Sequence, residues 1–133
     1  MLSNKAVKFL GRQYIRAFAC CPGGNGATYM VSVRFNDPTI RDEYKVWLAS
    51  KHIKEVLACP GFVSAELLQV YENGDASGSA GVVVKYTLES VQAFDDYNKS
   101  ETAKKLRADA LEIFGDKFTA SRKVLLAGDV FYP

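Results

Sequence analysis

The chain has few of the side chains that most often build metal or nucleophile sites: its 133 residues include one His and three Cys. Cys20, Cys21 and Cys59 lack the paired C-x-x-C spacing of a zinc site, so the sequence predicts no bound metal. The glycine-rich stretch 72–79 has no Lys and lacks the spacing of a phosphate-binding loop, which favours a polar hairpin turn. The sequence therefore shows no catalytic signature, and no cofactor is predicted.

Long hydrophobic runs and a strong charge excess are also missing. No apolar run reaches the roughly 18–20 residues that a membrane-spanning helix needs, so no integral membrane segment is expected. Residues 27–133 hold 13 basic and 15 acidic side chains, and this weak negative charge argues against nucleic acid as a partner. Hydrophobic residues make up 48% of the chain, which is enough for the core of one domain.

The first 26 residues carry no acidic side chain, unlike the rest of the chain. Their four basic residues fall on one face of an amphipathic helix, so we predict a basic amphipathic segment with a glycine-rich linker before a domain at 27–133. An acid-free, Arg-containing helix is typical of a mitochondrial transit peptide, so residues 1–19 predict mitochondrial targeting. The alternative is a helix that docks on the domain, a partner or a membrane surface, in a cytoplasmic protein.

Alternating apolar residues predict four strands, and helical periodicity predicts two helical regions between them. The alternation slips at Leu67 and Leu68, where we expect a β-bulge. The order is β-α-β-β-α-β, which predicts a ferredoxin-like α+β fold with two broken helices covering a four-stranded antiparallel sheet. The predicted strands are 28–35, 62–71, 80–88 and 118–126.

Both helical regions are predicted to be interrupted. The first begins at the capping residue Asp37, and its apolar stripe fails near residues 50–52, which places His52 at the break. The second carries a capping signal across residues 98–101 and ends at Gly115. Its cluster of basic residues is interpreted as a solvated helix surface: Lys104, Lys105 and Arg107.

The sheet is predicted to be apolar on both faces. A sheet face that meets water should be polar, so a second cover is needed, and we predict a homodimer through the sheet face that the helices leave open. The alternation predicts that Tyr29, Val82 and Val124 face the helices. The apolar residues expected on the opposite face are Met30, Val63, Ala65, Val83 and Leu125.

Four stretches resemble a known family. They are residues 29–35, the pattern Trp47…His52-Ile53…Val56-Leu57, residues 60–62 and residues 107–118. They are similar to a family catalogued as a domain of unknown function, number 4286, in the dimeric α+β barrel superfamily. The resemblance covers residues 28 to about 126 and implies this fold and a dimer. The superfamily includes cofactor-free quinol monooxygenases, haem-degrading monooxygenases and muconolactone isomerases, and a shared fold does not transfer their functions. No catalytic residue is carried over.

His52 is the candidate catalytic residue. At a helix break beside the sheet, it could act as a general base or bind a haem iron. The alternative is a helix-end histidine that caps carbonyl groups or packs beside Trp47.

Five aromatic residues are candidate pocket walls: Tyr29, Tyr44, Trp47, Phe94 and Tyr97. Paired helix breaks over one sheet can leave a cleft for a ligand, although the same side chains suit core packing. Two hypotheses follow. One is a homodimer that binds a small apolar or aromatic ligand and acts on it as a cofactor-independent monooxygenase or isomerase does. The other is a non-catalytic structural or assembly dimer.

Overall fold

The computed structural model describes residues 26–72 and 81–133. Neighbouring strands are antiparallel in the order β2-β3-β1-β4, which confirms the predicted ferredoxin-like fold. The predictions for residues 1–25 and for the hairpin loop at 73–80 lie outside the described residues. The elements are β1 (Ala27–Phe35), α1 (Pro38–Trp47), a π-helical turn (Leu48–His52), α2 (Ile53–Leu57), β2 (Phe62–Gln69), β3 (Gly81–Leu88), α3 (Val91–Lys99), α4 (Glu101–Phe114) and β4 (Phe118–Leu126).

The helices cover one face of the sheet, which we call the covered face; the other is the open face. Every second strand residue points into the core, and Tyr29 pairs with Tyr86 on one side and with Val124 on the other. Burial of this layer is nearly complete at Val82 and Leu88. Removing this apolar surface from water is the main stabilising contribution to the fold.

The first helical region starts as predicted, because the Asp37 side chain accepts a hydrogen bond of 2.8 Å from the Thr39 amide. Its predicted break is a π-helical turn, and the backbone dihedrals remain helical through it. A π-turn inserts one extra residue, which rotates the following side chains around the axis. The apolar stripe that is interrupted after Leu48 therefore resumes at Val56, and both side chains are buried.

The second helical region has a true break at Ser100, whose backbone is extended. Its hydroxyl donates to the Tyr97 carbonyl at 2.6 Å and accepts from the Ala103 amide at 3.1 Å. One residue thus ends α3 and caps α4, as the capping signal predicted. Gly115, with φ of +62°, ends α4.

The sheet corrects two predictions. The irregularity of β2 lies between Phe62 and Ser64, whereas Leu67 and Leu68 pair with β3 in continuous register, so the bulge predicted there is wrong. The extra residue at the start of β2 reverses the alternation after it. Ala65 consequently pairs with Tyr86 and packs against the core, so its predicted place on the open face is wrong as well.

The open face is mixed rather than apolar. Met30 pairs directly with Lys85 and Lys123 of the neighbouring strands. Lys85 also lies 3.7 Å from the carboxylate of Glu66. The apolar groups on this face are Met30, Leu68, Val83 and Leu125.

Candidate functional site

A cavity of about 360 Å³ lies between the covered face of the sheet and the helices. Strands β1, β3 and β4 form its floor, while α4, the π-turn and single residues of the other helices form its roof. Two of its lining residues, Leu111 and Arg122, are exposed and mark the side that opens to solvent. Its volume is near the lower end of the range for small-molecule sites, which is about 300–1,000 Å³.

The predicted site residues divide into lining and backing positions. Tyr29, Tyr44, Tyr97 and His52 line the cavity, whereas Trp47 and Phe94 do not. The Trp47 ring stacks on His52, with centroids 4.5 Å apart and planes inclined by 22°. Phe94 packs behind Tyr29 at 4.8 Å. The structure therefore brings all six together, four as walls and two as the layer that holds a wall in place.

The imidazole of His52 is largely removed from water. Its Nδ1 is buried and has no hydrogen-bond partner within the described chain. Burial lowers the pKa of His52, and the charges of Lys51 and Arg122 add to this, although Glu55 and Asp109 oppose it. The ring is therefore neutral at physiological pH and able to accept a proton.

Four tyrosines also line the cavity: Tyr29, Tyr44, Tyr86 and Tyr97. Burial raises the pKa of Tyr44 to about 12 and that of Tyr97 to about 12. Burial also raises the pKa of Tyr86. These phenols stay protonated at neutral pH, so they can donate hydrogen bonds to a ligand's oxygen atoms.

Two arginines, Arg107 and Arg122, also line the cavity, and neither was predicted as a site residue. Arg107 is half-buried on α4, while Lys104 and Lys105 beside it are exposed and form local ion pairs. The interpretation of all three as a solvated surface is therefore wrong for Arg107. Its spacing from Ala103 and Ala110, which places it on the buried stripe of α4, was the available signal.

Arg122 also occupies a core-facing position, in this case on a strand. It lies directly opposite Val31 on the covered face, in alternation with Ala120 and Val124. An arginine at a core-facing position near a sheet edge can extend its charged end to solvent while its stem packs on apolar side chains.

Metal-binding and membrane-spanning features are both absent from the part of the chain that the structure describes. There, no three His, Cys, Asp or Glu side chains are grouped to hold a metal ion. No described helix is long and apolar enough to span a membrane.

Cys59 is a free thiol whose pKa is raised by partial burial, and it donates a weak hydrogen bond of 3.6 Å to the Glu55 carbonyl.

Comparison with known families identifies most of the chain. A family model described as "Domain of unknown function (DUF4286)" matches residues 27–127. A comparison with curated proteins finds no match.

Several solved structures share the fold. A monooxygenase from the gene ActVA-Orf6 of Streptomyces coelicolor, in complex with nanaomycin D, is 20% identical with a TM-score of 0.63, over 81% of this chain and 92% of that chain. SnoaB, a cofactor-independent oxygenase from Streptomyces nogalater, is 15% identical with a TM-score of 0.52, over 80% and 96% of the two chains. A dimeric ferredoxin-like protein from an uncultured marine organism is 9% identical with a TM-score of 0.55, over 81% and 99%. At these identities the likeness shows the fold alone.

Proposed function

The chain belongs to the family described as a domain of unknown function, DUF4286, and we propose that its cavity binds a small aromatic molecule on which His52 acts as a base. One observation carries this proposal: His52 lines a cavity of about 360 Å³, and its buried Nδ1 has no hydrogen-bond partner among the described residues. Within the described residues this polar atom is left unsatisfied, which is unfavourable unless a bound molecule provides the missing partner. The tyrosine rings around it suit stacking with an aromatic ligand.

The first chemical step is proton transfer. Neutral His52 takes a proton from an acidic O–H or C–H of the ligand, which leaves a ligand anion and an imidazolium. Two reaction classes begin in this way. In an isomerisation, the proton returns to a different atom of the ligand. In an oxygenation, the ligand carbanion and dioxygen form a C–O bond, the imidazolium returns its proton to the peroxide formed, and loss of water leaves a carbonyl group on the ligand. The named activities of two structural neighbours, a monooxygenase and a cofactor-independent oxygenase, favour the second class.

Ligand binding is tested first with 1-naphthol, a bicyclic phenol. Trp47 is the only Trp of the chain and stacks on the cavity residue His52, so its fluorescence should change on binding. Ala110 lines the cavity and Ala108 is exposed on the same helix. We expect Ala110→Phe to abolish binding by filling the cavity, and the matched variant Ala108→Phe to retain it. Binding that survives in Ala110→Phe would place the ligand elsewhere.

The catalytic role of His52 is tested with whatever molecule native mass spectrometry finds bound to the purified protein. Its conversion is followed in air, with oxygen uptake as a second readout. His52→Gln should keep the ligand and lose turnover by about 10²–10⁴-fold, the usual contribution of a general base. The control variant Lys54→Ala changes an exposed residue of the adjoining helix α2 and should retain the wild-type rate. Equal turnover in His52→Gln and wild type would remove His52 from the chemistry, and a ligand-free, inactive protein would favour the non-catalytic alternative.

We also propose that the protein is a homodimer joined through the open face. Met30, Leu68 and Val83 give this face an apolar centre, and one structural neighbour is a dimeric ferredoxin-like protein. Val83→Lys should produce a monomer by light scattering, because it adds a charge at that centre. The control Val46→Lys changes a side chain that is 68% exposed on α1 and should remain dimeric. A monomeric wild-type protein would contradict the proposal.

A further inference from the structure

The cavity carries positive charge with no lining counter-charge. Arg107 reaches it from α4 and Arg122 from β4, on opposite walls. No Asp or Glu of the described chain lines the cavity. Neither arginine forms an ion pair within residues 26–72 and 81–133. A guanidinium without a carboxylate partner beside an apolar cavity is suited to bind an anion.

Arg107 is held in place for such a role. Its Nη2 donates to Asn98 Oδ1 at 2.7 Å and to the Tyr29 hydroxyl at 3.5 Å, and its guanidinium carbon lies 5.9 Å from the centre of the Tyr97 ring. These contacts fix the side chain before a ligand arrives, which lowers the entropic cost of binding. They also leave its buried Nε without a hydrogen-bond partner in the described residues.

Arg122 is more exposed and acts from the mouth of the cavity. Burial is the main cause that raises the pKa of Tyr44 and Tyr97, and the positive charge of Arg122 opposes it. Burial also lowers the pKa of His52, and there the charge of Arg122 acts in the same direction. The same charge would attract an anionic ligand as it enters.

We propose that the ligand is an aromatic acid, whose carboxylate or phenolate oxygen binds Arg107 inside the cavity and is attracted by Arg122 at the mouth. This inference rests on the proposed function and deepens it by assigning the charge of the ligand. Neutral His52 carries no positive charge that would attract the anionic group. The aromatic ring of the ligand therefore packs against the tyrosines and His52. A cationic ligand is disfavoured, because it would meet two guanidinium groups and no lining carboxylate.

The test compares two probes of nearly the same shape, 1-naphthoate and the uncharged 1-naphthamide, in the full-length protein at about pH 7.5, where the carboxylic acid is ionised. Affinity is measured by Trp47 fluorescence and by calorimetry. We expect 1-naphthoate to bind about tenfold more tightly or better, since a charge-assisted hydrogen bond is roughly twice as strong as a neutral one. The difference should decrease as salt is added, most strongly for the contribution of the exposed Arg122.

Arg107→Gln should remove most of this preference while 1-naphthamide still binds. The matched control is Lys105→Gln, which makes the same change in net charge at an exposed position of the same helix and should leave the preference intact. Should Arg107→Gln fail to fold, Arg122→Gln provides an independent test at an exposed position, with a smaller expected loss of preference.

The outcomes separate this inference from the proposed function. Equal affinity for the two probes overturns the inference, whereas the aromatic site remains supported. An equal loss in Arg107→Gln and Lys105→Gln also overturns it, because the preference would then come from overall charge. If neither probe binds and 1-naphthol does not bind either, the proposed function fails and the inference fails with it.

Discussion

The two helical regions are both interrupted, but the interruptions differ in what they leave unsatisfied. At Ser100 the chain leaves helical geometry, and one hydroxyl satisfies groups on both sides of the break. In the π-turn the chain stays helical, and no side chain caps its start. The first interruption brings His52 to the cavity with Nδ1 unpartnered in the described chain.

This difference distinguishes a helix break that only shapes the fold from one that contributes to a candidate site. A break whose polar groups are all paired contributes to stability. A π-turn is a less stable arrangement that recurs at functional positions. Three buried polar atoms without a partner in the described residues lie in the π-turn or near it in sequence: Trp47 Nε1, His52 Nδ1 and Glu55 Oε1. Such a concentration costs stability, and His52 is the one residue of the three that lines the cavity where a ligand would bind.

The largest effect is expected at the glycine with positive φ that follows each region. Gly61 has φ of +86°, and a Cβ there would lie 2.4 Å from Ala93 Cβ, whereas a Cβ at Gly115 would meet nothing within 4 Å. In both Ala variants the strained backbone lowers the free energy of unfolding by about 1–3 kcal/mol. Gly61→Ala should lose about 1–3 kcal/mol more, because α3 must move. Urea unfolding measures both, and equal losses would show that the contact between α3 and Gly61 is not tight.

A smaller effect on stability is expected from substitutions at the two interruptions themselves. Ser100→Ala removes the cap of α4 and should lower the free energy of unfolding by about 1 kcal/mol. Ser50→Ala lies in the π-turn at an exposed position and should change stability by less than about 0.5 kcal/mol. Thermal and urea unfolding should agree on this order. A Ser50→Ala variant that is as destabilised as Ser100→Ala would show that the π-turn depends on a side-chain cap after all.

Much of the fold could be predicted from the sequence, because it depends on local periodicity. The strand at Phe118–Leu126 and the interruption near His52 both follow from the spacing of apolar residues. The bulge beside Val63 could not be located in this way, since alternation alone does not show where the extra residue is accommodated. A single misplaced bulge was enough to assign Ala65 to the wrong face.

The candidate site was less predictable than the fold. Sequence spacing could group the aromatic residues, but it could not tell that Trp47 backs His52 while Tyr44 lines the cavity, because that depends on small rotations about one helix. Arg107 lies on the buried stripe of α4, between Ala103 and Ala110, but was assigned to the surface because of its charge. A charged residue at a core-facing position indicates a candidate site, even where the neighbouring charged residues in the sequence are exposed.

The smallest effect concerns pH and distinguishes the π-turn from the capped break. Burial lowers the pKa of folded His52 below the usual value of about 6.5 that it regains on unfolding. Between these two values the unfolded chain binds more protons, so stability falls as the pH is lowered through this range. The acidic neighbours Glu55 and Asp109 reduce the effect without reversing it. Wild-type protein should therefore lose more stability between about pH 7 and pH 5 than His52→Gln, whereas Ser100→Ala should follow the wild-type slope. Parallel slopes for wild type and His52→Gln in urea unfolding would mean that the imidazole is solvated, and the argument for a buried base in the cavity would lose its physical ground.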